Sequence, residues 1–379
     1  MKKLLLLNYE YPPVGGGGGV ASKKLAEAWC NLGYQVDCVT TWVSGLEKYE
    51  KINGVNIYRV PVIGKRAQSS AGMLSLLTFP ICAYRIAKNL CRENKYELIN
   101  THFAVPTGPL GVWISKQYGI KNILSLHGGD IYDPTKRFSP HKWFLLRKCV
   151  SWVLNNSDVI VAQSNNTKEN ASRFYQCEKE SVQIIPLPYD KVNFSPIKRS
   201  EMGMNEDDTY LISVGRLVRR KGYDFLLDVV LELPEVKLFI VGDGPEKENL
   251  ERKIDELQLQ DRVVLLGNIS EEIKFRYLSN SDVYVLSSVH EGFGIVLQEA
   301  MQVGLPIVST DFGGQVDLVK DEENAFLVKY GNKTMMVNAI RKLITDKRTA
   351  EMMRMKNLEK IKEYKSENIA EKYLELQKK

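Results

Sequence analysis

The sequence predicts an α/β protein made of two doubly wound domains, each a parallel sheet flanked by helices. Three observations carry this. Short apolar runs of strand length alternate with helix-period segments along almost all of the 379 residues, the pattern of repeated βα units. Turns rich in glycine recur at the ends of those runs, where open α/β sheets take their ligands. A proline-marked polar stretch between Pro186 and Asp208 divides the array in two.

In the first array, Leu4–Asn8 reads as a strand buried on both faces, because its apolar run is continuous. The run Gly15–Gly19 follows as a ligand-facing loop and opens a helix over Ala21–Asn31, with Val36–Thr40 as the next strand. A dinucleotide fingerprint does not fit. Its glycines would follow the strand at once, and the second strand would end in an acid where this one ends in Thr40-Thr41-Trp42. Val55–Val60 is a strand, Ser75–Leu90 a helix, and Leu98–Thr101 a strand closed by His102. Gly111–Gln117 is helical and Asn122–Leu126 a strand, with His127-Gly128-Gly129-Asp130 at its carboxyl end. A lone histidine is more often a packing residue than a reactive one. His127 stands with two glycines and an acid at a strand end, which points to ligand chemistry; His102 shares the position, and His141 has no such context. Trp143–Leu154, Asp158–Ala162, Thr167–Phe174 and Val182–Ile185 complete the array as helix, strand, helix and strand.

The second array begins with the strand Tyr210–Val214, followed by Gly215-Arg216 and, after a basic turn ending in Lys221-Gly222, the helix Tyr223–Val230. Lys237–Val241 ends in Gly242-Asp243-Gly244-Pro245, and Val263–Leu266 ends in Gly267-Asn268. Helices follow over Glu246–Leu257 and Ile273–Asn280. The strand Val283–Leu286 then enters a turn bearing Glu291, Gly292 and Gly294, and a helix over Ile295–Val303 carries Glu299. Glycines admit a ligand close to the backbone, and the N–H groups of a helix start favour anions. An ionised carboxylate only accepts hydrogen bonds, which suits the hydroxyls of a sugar. This turn therefore reads as a site for something bearing phosphates and hydroxyls. Ile307–Ser309 and Ala325–Val328 are the last strands, and the remainder is helical and charged.

Composition narrows the classes. With 44% hydrophobic and 26% charged residues the chain reads as an ordinary globular protein. Six scattered cysteines speak against a disulfide framework, and four histidines without a close pair predict no metal site. The apolar run after Lys2-Lys3 is too short for a secretory core, and no run approaches the roughly 18 residues of a membrane-spanning helix. A cytoplasmic protein is expected. Charge is divided unevenly. Residues 1–199 hold 26 Lys and Arg against 14 Asp and Glu, a net of +12, whereas residues 200–379 hold 26 against 32, a net of −6. The basic half fits an anionic surface, with Lys65-Arg66 and Lys136-Arg137 as candidate contacts at the inner face of a membrane.

These motifs taken together resemble the retaining family-4 glycosyltransferases (glycosyl transferases group 1), over essentially the whole chain. The resemblance runs through Pro12-Pro13 with Gly15–Gly19, His127–Asp130, Ile185-Pro186 with Asp190 and Phe194, and Val214–Leu217 with Lys221-Gly222. It continues through Val241–Pro245 and Glu291–Gly294 with Glu299, Gly304 and Pro306. It implies the GT-B architecture, two Rossmann-like domains facing across a cleft. Residues 1–190 would be the acceptor-side domain and 191–361 the nucleotide-sugar domain, with a C-terminal helix at about 362–379 packed back on the first.

By position, the resemblance implies that Arg216 and Lys221 hold the diphosphate of a donor such as a UDP- or GDP-sugar. Glu299 would bind the ribose and Glu291 the sugar hydroxyls, with backbone from Gly292, Phe293, Gly294 and Ile295 at the sugar and phosphate. Asn268 and Ile269 would lie by the base, and Gly16, Gly17 and Gly18 would form an opposing loop. His127 would sit beside the reacting sugar carbon, with Asp130 and His102 as further acceptor- or sugar-side residues. No metal or other cofactor is implied, and the sequence contains no Asp-x-Asp triplet. The expected activity is transfer of a sugar, with retention, to a glycan or lipid-linked acceptor hydroxyl in surface polysaccharide or glycolipid synthesis; no nucleic-acid partner is expected. Two alternatives stand beside it, a sugar-nucleotide epimerase of the same architecture and a nucleotide-sugar-binding protein without turnover.

Overall fold

Leu4, Leu5, Leu6 and Leu7 are all fully buried, and they divide by the two-residue period of a strand. Leu4 and Leu6 enter one apolar cluster, Leu5 and Leu7 another on the opposite face of the sheet. The structure is a computed structural model that describes residues 2–64, 72–136 and 138–378. The chain divides into two units, Met1–Asp190 with Tyr364–Lys379, and Lys191–Glu363.

The first unit runs β1 (Lys3–Asn8), α1 (Gly17–Asn31), β2 (Gln35–Thr41), β3 (Tyr49–Ile52), β4 (Val55–Val60), α2 (Met73–Glu93), β5 (Leu98–His102), α3 (Gly108–Tyr118), β6 (Asn122–Leu126), α4 (Phe144–Asn155), β7 (Val159–Ala162), α5 (Asn165–Tyr175) and β8 (Val182–Ile184). Its sheet has the order β3-β4-β2-β1-β5-β6-β7-β8 and is parallel except for the β3–β4 pair. The direction of winding reverses between β1 and β5, where Asn8 is in register with His102. A glycine turn and two histidines thus lie at the point where open α/β sheets leave a crevice.

The second unit runs β9 (Thr209–Val214), α6 (Tyr223–Leu231), β10 (Val236–Val241), α7 (Lys247–Glu256), β11 (Val263–Gly267), α8 (Glu271–Asn280), β12 (Val283–Leu286), α9 (Ile295–Gln302), β13 (Ile307–Thr310), β14 (Phe326–Val328), α10 (Lys333–Thr345) and α11 (Lys347–Lys360). Its sheet, β11-β10-β9-β12-β13-β14, is parallel throughout and reverses between β9 and β12. Arg216 follows one of those two strands and Glu291 the other.

The last helix, α12 (Ser366–Lys378), returns to the first unit and packs on α1. Trp29, fully buried, donates its indole N–H to Ala370 O at 3.2 Å and meets Tyr373 edge-on at 6.0 Å. Two local features differ from the sequence reading. The strand β3 pairs antiparallel with β4 through the Asn53-Gly54 turn, both residues with positive φ. It has little apolar signal because most of it is exposed at the sheet edge. The helix α1 also begins at Gly17, inside the run read as loop, so Gly17 and Gly18 form its first turn. The opening N–H groups of a helix need no partner within it, so glycine costs least there. Among the described residues no helix is long and apolar enough to cross a membrane. Lys65, Arg66 and Arg137 lie outside the described residues.

Replacing Trp29 with Ala removes both the packing and the hydrogen bond that tie α12 to α1. Urea denaturation should show a loss of about 3–5 kcal/mol in the first unit; a loss below about 1 kcal/mol would mean that α12 contributes little to its stability.

Candidate functional site

In the second unit the site is built on three loops that follow strand ends. A short turn at Arg219–Lys221 ends in Gly222, whose φ of 64° and close approach to Ser287 O exclude any side chain; a Cβ there would stand 2.2 Å from that oxygen. The loop after β12 is laced to this turn. Ser287 Oγ donates to Lys221 O at 2.9 Å and Val289 N donates to Arg220 O at 2.8 Å. On its other side Thr310 Oγ1 donates to Ser288 O at 2.6 Å, and Gly314 N donates to Glu291 O at 2.7 Å.

This lacing sets a charged cluster. Glu291 is 6% exposed. Its Oε1 accepts from Lys221 Nζ at 2.7 Å and Ser288 Oγ at 2.6 Å, and its Oε2 accepts from Arg220 at 3.2 Å. Burial alone would raise its pKa. The Lys221 and Arg220 charges outweigh burial and hold the carboxyl down at about 2. Each carboxylate oxygen has two lone pairs, so Oε2 retains room for one further donor. Lys221 is buried with Glu291, and its ammonium lies against Gly215 at the end of β9; a Cβ on Gly215 would stand 3.0 Å from Nζ. Arg216, next in the chain, is exposed, and its guanidinium has no partner among the described residues. The structure thus brings Lys221 and Glu291 into direct contact and leaves Arg216 open to solvent.

Glu299 lies on α9 and makes a separate pair. Its Oε1 accepts from Lys274 of α8 at 2.8 Å, while its Oε2 is buried without a hydrogen-bond partner among the described residues. A buried carboxylate oxygen without a donor is costly unless something else supplies one. The helix bearing Lys274 is capped by Ser270, directly after Asn268 and Ile269 on the loop from β11. Gly292, Phe293 and Gly294 form the turn into α9, and Ile295 is its first residue. Three partners in these contacts, Arg220, Ser288 and Lys274, were not among the sequence candidates. The basic triplet Arg219-Arg220-Lys221 showed that a cation was there, but not which residues of the triplet turn inward.

In the first unit the loops after β1, β5 and β6 converge. The Asp130 carboxylate is buried and accepts Ala104 N at 2.7 Å and His127 N at 2.9 Å. Burial pushes its pKa up to about 6. Asp130 therefore fastens two loops and bears on the site through the placing of His127. The ring of Phe103, a residue with φ of 72°, packs on the His127 ring at 4.4 Å. His102 is buried beneath, with Nδ1 2.8 Å from His127 Nε2. Burial holds His102 well below the usual histidine range and His127 down at about 3, so both rings are neutral. The glycine turn closes over them. A Cβ on Gly18 would stand 2.4 Å from Phe103 and 3.2 Å from His127 Nδ1. The Gly16 N–H is taken by Glu10 Oε2 at 2.9 Å, and Gly17 is exposed. Among the described residues no group of three or more His, Cys, Asp or Glu could hold a metal.

Two Rossmann-like α/β domains with parallel sheets and polar clusters at their strand ends define a protein of the GT-B fold. Residues 15–191 match the family described as Glycosyltransferase Family 4, and residues 194–360 match Glycosyl transferases group 1. The chain carries both domains and is a glycosyltransferase. Among its relatives is N-acetyl-alpha-D-glucosaminyl L-malate synthase of Bacillus anthracis, 27% identical over 96% of this chain and 93% of that one. Sucrose-phosphate synthase from Thermosynechococcus elongatus superposes with a TM-score of 0.85 at 22% identity, over 100% of this chain and 98% of that one. HepE of Anabaena, in complex with UDP and glucose, gives 0.79 at 21% identity, with all of both chains covered. At these identities the solved structures speak for the fold.

The depressed Glu291 pKa has a signed consequence. The stability it contributes is complete above the ordinary value of 4.5 and is lost as pH falls through about 2. The stability gap between wild type and Glu291→Gln should therefore be widest near pH 7 and narrow steadily below pH 4.5. Denaturation midpoints across that range test this; a gap independent of pH would show that the carboxylate is not held by the two cations.

Proposed function

We propose that the protein transfers a sugar from a nucleoside-diphosphate sugar to an acceptor hydroxyl with retention of configuration, in the synthesis of a surface polysaccharide, lipid-linked glycan or glycolipid. The observation that carries this reading is the combination, in one domain, of an unpartnered exposed cation, Arg216, with a buried carboxylate oxygen lacking a donor, Glu299 Oε2. A diphosphate supplies anionic oxygens to the first, and a ribose supplies a hydroxyl donor to the second. Arg216 pairs with phosphate bidentately, and Lys221 adds charge while it orients Glu291 toward the sugar hydroxyls. HepE holds UDP, and a uridine donor is the first candidate here by analogy.

In the reaction the acceptor oxygen forms a bond to the anomeric carbon on the face that the diphosphate leaves. The bond from that carbon to the diphosphate oxygen breaks, and the departing phosphate oxygen takes the acceptor's proton. Negative charge grows on the leaving group, where fixed cations are most effective. Arg216 and the net positive cluster around Lys221 supply such charge.

Arg216→Ala separates binding from folding, since the side chain holds nothing in place. In thermal-shift titrations with UDP-glucose, UDP-N-acetylglucosamine, UDP-galactose, GDP-mannose and ADP-glucose, one donor should raise Tm, because a ligand of the native state stabilises by mass action. Arg216→Ala should leave the Tm without ligand unchanged and weaken that donor about 10- to 100-fold, the effect of a charge-assisted hydrogen bond. Undiminished affinity would remove Arg216 from the diphosphate site.

The proposed acceptor side has its own support. In the first unit α3 packs between α2 and α4, and this layer exposes large apolar side chains. Leu74, Leu77 and Ile81 are 58%, 59% and 68% exposed along one face of α2, and Phe144 and Leu145 are 68% and 76% exposed at the start of α4. Trp113 of α3 adds to them, and Arg85, Lys116 and Lys148 lie among them. Apolar and aromatic anchors mixed with cations suit an anionic membrane interface. The protein should co-sediment with phosphatidylglycerol vesicles at low salt and release them when Phe144 and Leu145 are both changed to Ser. Equal binding to phosphatidylcholine vesicles would sink the anionic-membrane reading.

A further inference from the structure

A continuous line of hydrogen bonds runs through the first unit from α12 to the ring of His127. Tyr373 Oη meets Ser125 Oγ at 3.0 Å, and Asn100 Nδ2 meets Ser125 Oγ at 3.0 Å. Asn100 Oδ1 lies 2.6 Å from His102 Nε2, and His102 Nδ1 lies 2.8 Å from His127 Nε2. The line ends at His127 Nδ1, which is shielded from solvent and has no hydrogen-bond partner among the described residues.

The polarity of this line follows from its anchor. Asn100 Nδ2 also lies 3.0 Å from the backbone oxygen of Ile123. A carbonyl can only accept, so the amide nitrogen of Asn100 faces it and the amide oxygen faces His102. That oxygen can only accept in turn, so His102 carries its proton on Nε2. A neutral imidazole has one N–H, which leaves His102 Nδ1 as an acceptor and requires His127 to donate from Nε2. His127 Nδ1 is then a bare lone pair. Burial of both rings keeps them neutral. The Asp130 carboxylate is engaged by two backbone N–H groups, and Tyr373 is four bonds away along the line.

We propose that His102 is a positioning residue: together with Asn100 it fixes His127 as the Nε2–H tautomer, so that Nδ1 serves only to accept a hydrogen bond from a hydroxyl of the substrate sugar. This deepens the sugar-side reading of His127 given above and rests on it. Gly18 and Phe103 lie over Nδ1, and a Cβ on Gly18 would stand 3.2 Å from it, so the glycine leaves beside the lone pair the space that a side chain would fill. A histidine held this way selects substrates that present a hydroxyl donor at that point, because a buried acceptor left unpaired is penalised.

The chain has only four histidines, so protein labelled with nitrogen-15 in histidine gives a spectrum that can be read ring by ring. In the free protein, long-range proton–nitrogen correlations should show His127 with a protonated Nε2 and a bare, pyridine-type Nδ1. His102→Gln keeps the polarity, with a carbonyl toward His127 and an amide N–H toward Asn100, and should preserve that pattern. His102→Phe removes the acceptor, and the two nitrogens of His127 should move toward an averaged mixture of tautomers. Wild-type His127 found with its proton on Nδ1, or a pattern unchanged in His102→Phe, overturns the relay. Addition of the nucleotide sugar that raises Tm most in the panel above should shift the bare Nδ1 resonance upfield as it gains a donor. No shift, with the tautomer pattern intact, removes the sugar contact and leaves the relay standing.

Discussion

The contact on which the second unit's site depends is the buried pair of Glu291 with Lys221. Neither charge would be tolerated alone at its depth, and removing one partner of such a pair typically costs about 3–5 kcal/mol. The pair also does electrical work. Two cations, Lys221 and Arg220, face one acid, so the cluster keeps an excess positive charge after Glu291 is satisfied. That excess lies beside Gly215, the residue that precedes the exposed Arg216 in the chain. In the proposed reaction Glu291 would therefore do more than offer lone pairs to a sugar: it holds Lys221 in a fixed place, so that the cation's field would already be oriented when negative charge develops.

Both units place their functional groups by the same topological rule. In a parallel sheet every strand ends on the same side, and the loops on either side of a winding reversal are driven apart. β1 and β5 flank that reversal in one unit, β9 and β12 in the other. The residues with unusual chemistry follow these strands or their immediate neighbours: His102 and His127 in the first, Arg216, Lys221 and Glu291 in the second. The apolar interior of each sheet contributes nothing to the chemistry directly. It supplies the rigidity that lets Gly222 approach Ser287 within the space of a missing side chain.

Much of this was legible in the residues, for identifiable reasons. Central strands such as Asn122–Leu126 and Val283–Leu286 are buried on both faces and mostly apolar, so their runs stand out against the neighbouring pattern. The edge strand β3 has no such run. Its only local sign was Asn53-Gly54, the dipeptide of a tight hairpin turn. Glu291 and Glu299 were recognisable because acids are rare beside apolar helical positions. The pairing of Glu291 was not, because Arg220 and Lys221 lie about 70 residues away in the chain, and only the fold decides which of three adjacent cations turns inward. Asn100 was invisible for a related reason. An asparagine inside an apolar strand reads as a blemish until the Ile123 carbonyl and the His102 ring are seen on its two sides.

The two clusters differ in electrical character, and the difference matches what each would bind. In the first unit's cluster the Asp130 carboxylate spends its charge on the Ala104 and His127 N–H groups and Glu10 spends its charge on that of Gly16, and burial keeps both histidines neutral. What remains there is a set of oriented dipoles, suited to hydroxyls that need direction more than charge. In the second unit the surplus is cationic and partly exposed, suited to phosphates. A diphosphate in the first cluster would lose most of its hydration and find no countercharge. A sugar hydroxyl beside Arg216 alone would have little to fix its orientation. The neutrality of His127 is thus as necessary to the proposed chemistry as the charge of Arg216, since a protonated ring would have no lone pair to offer a hydroxyl.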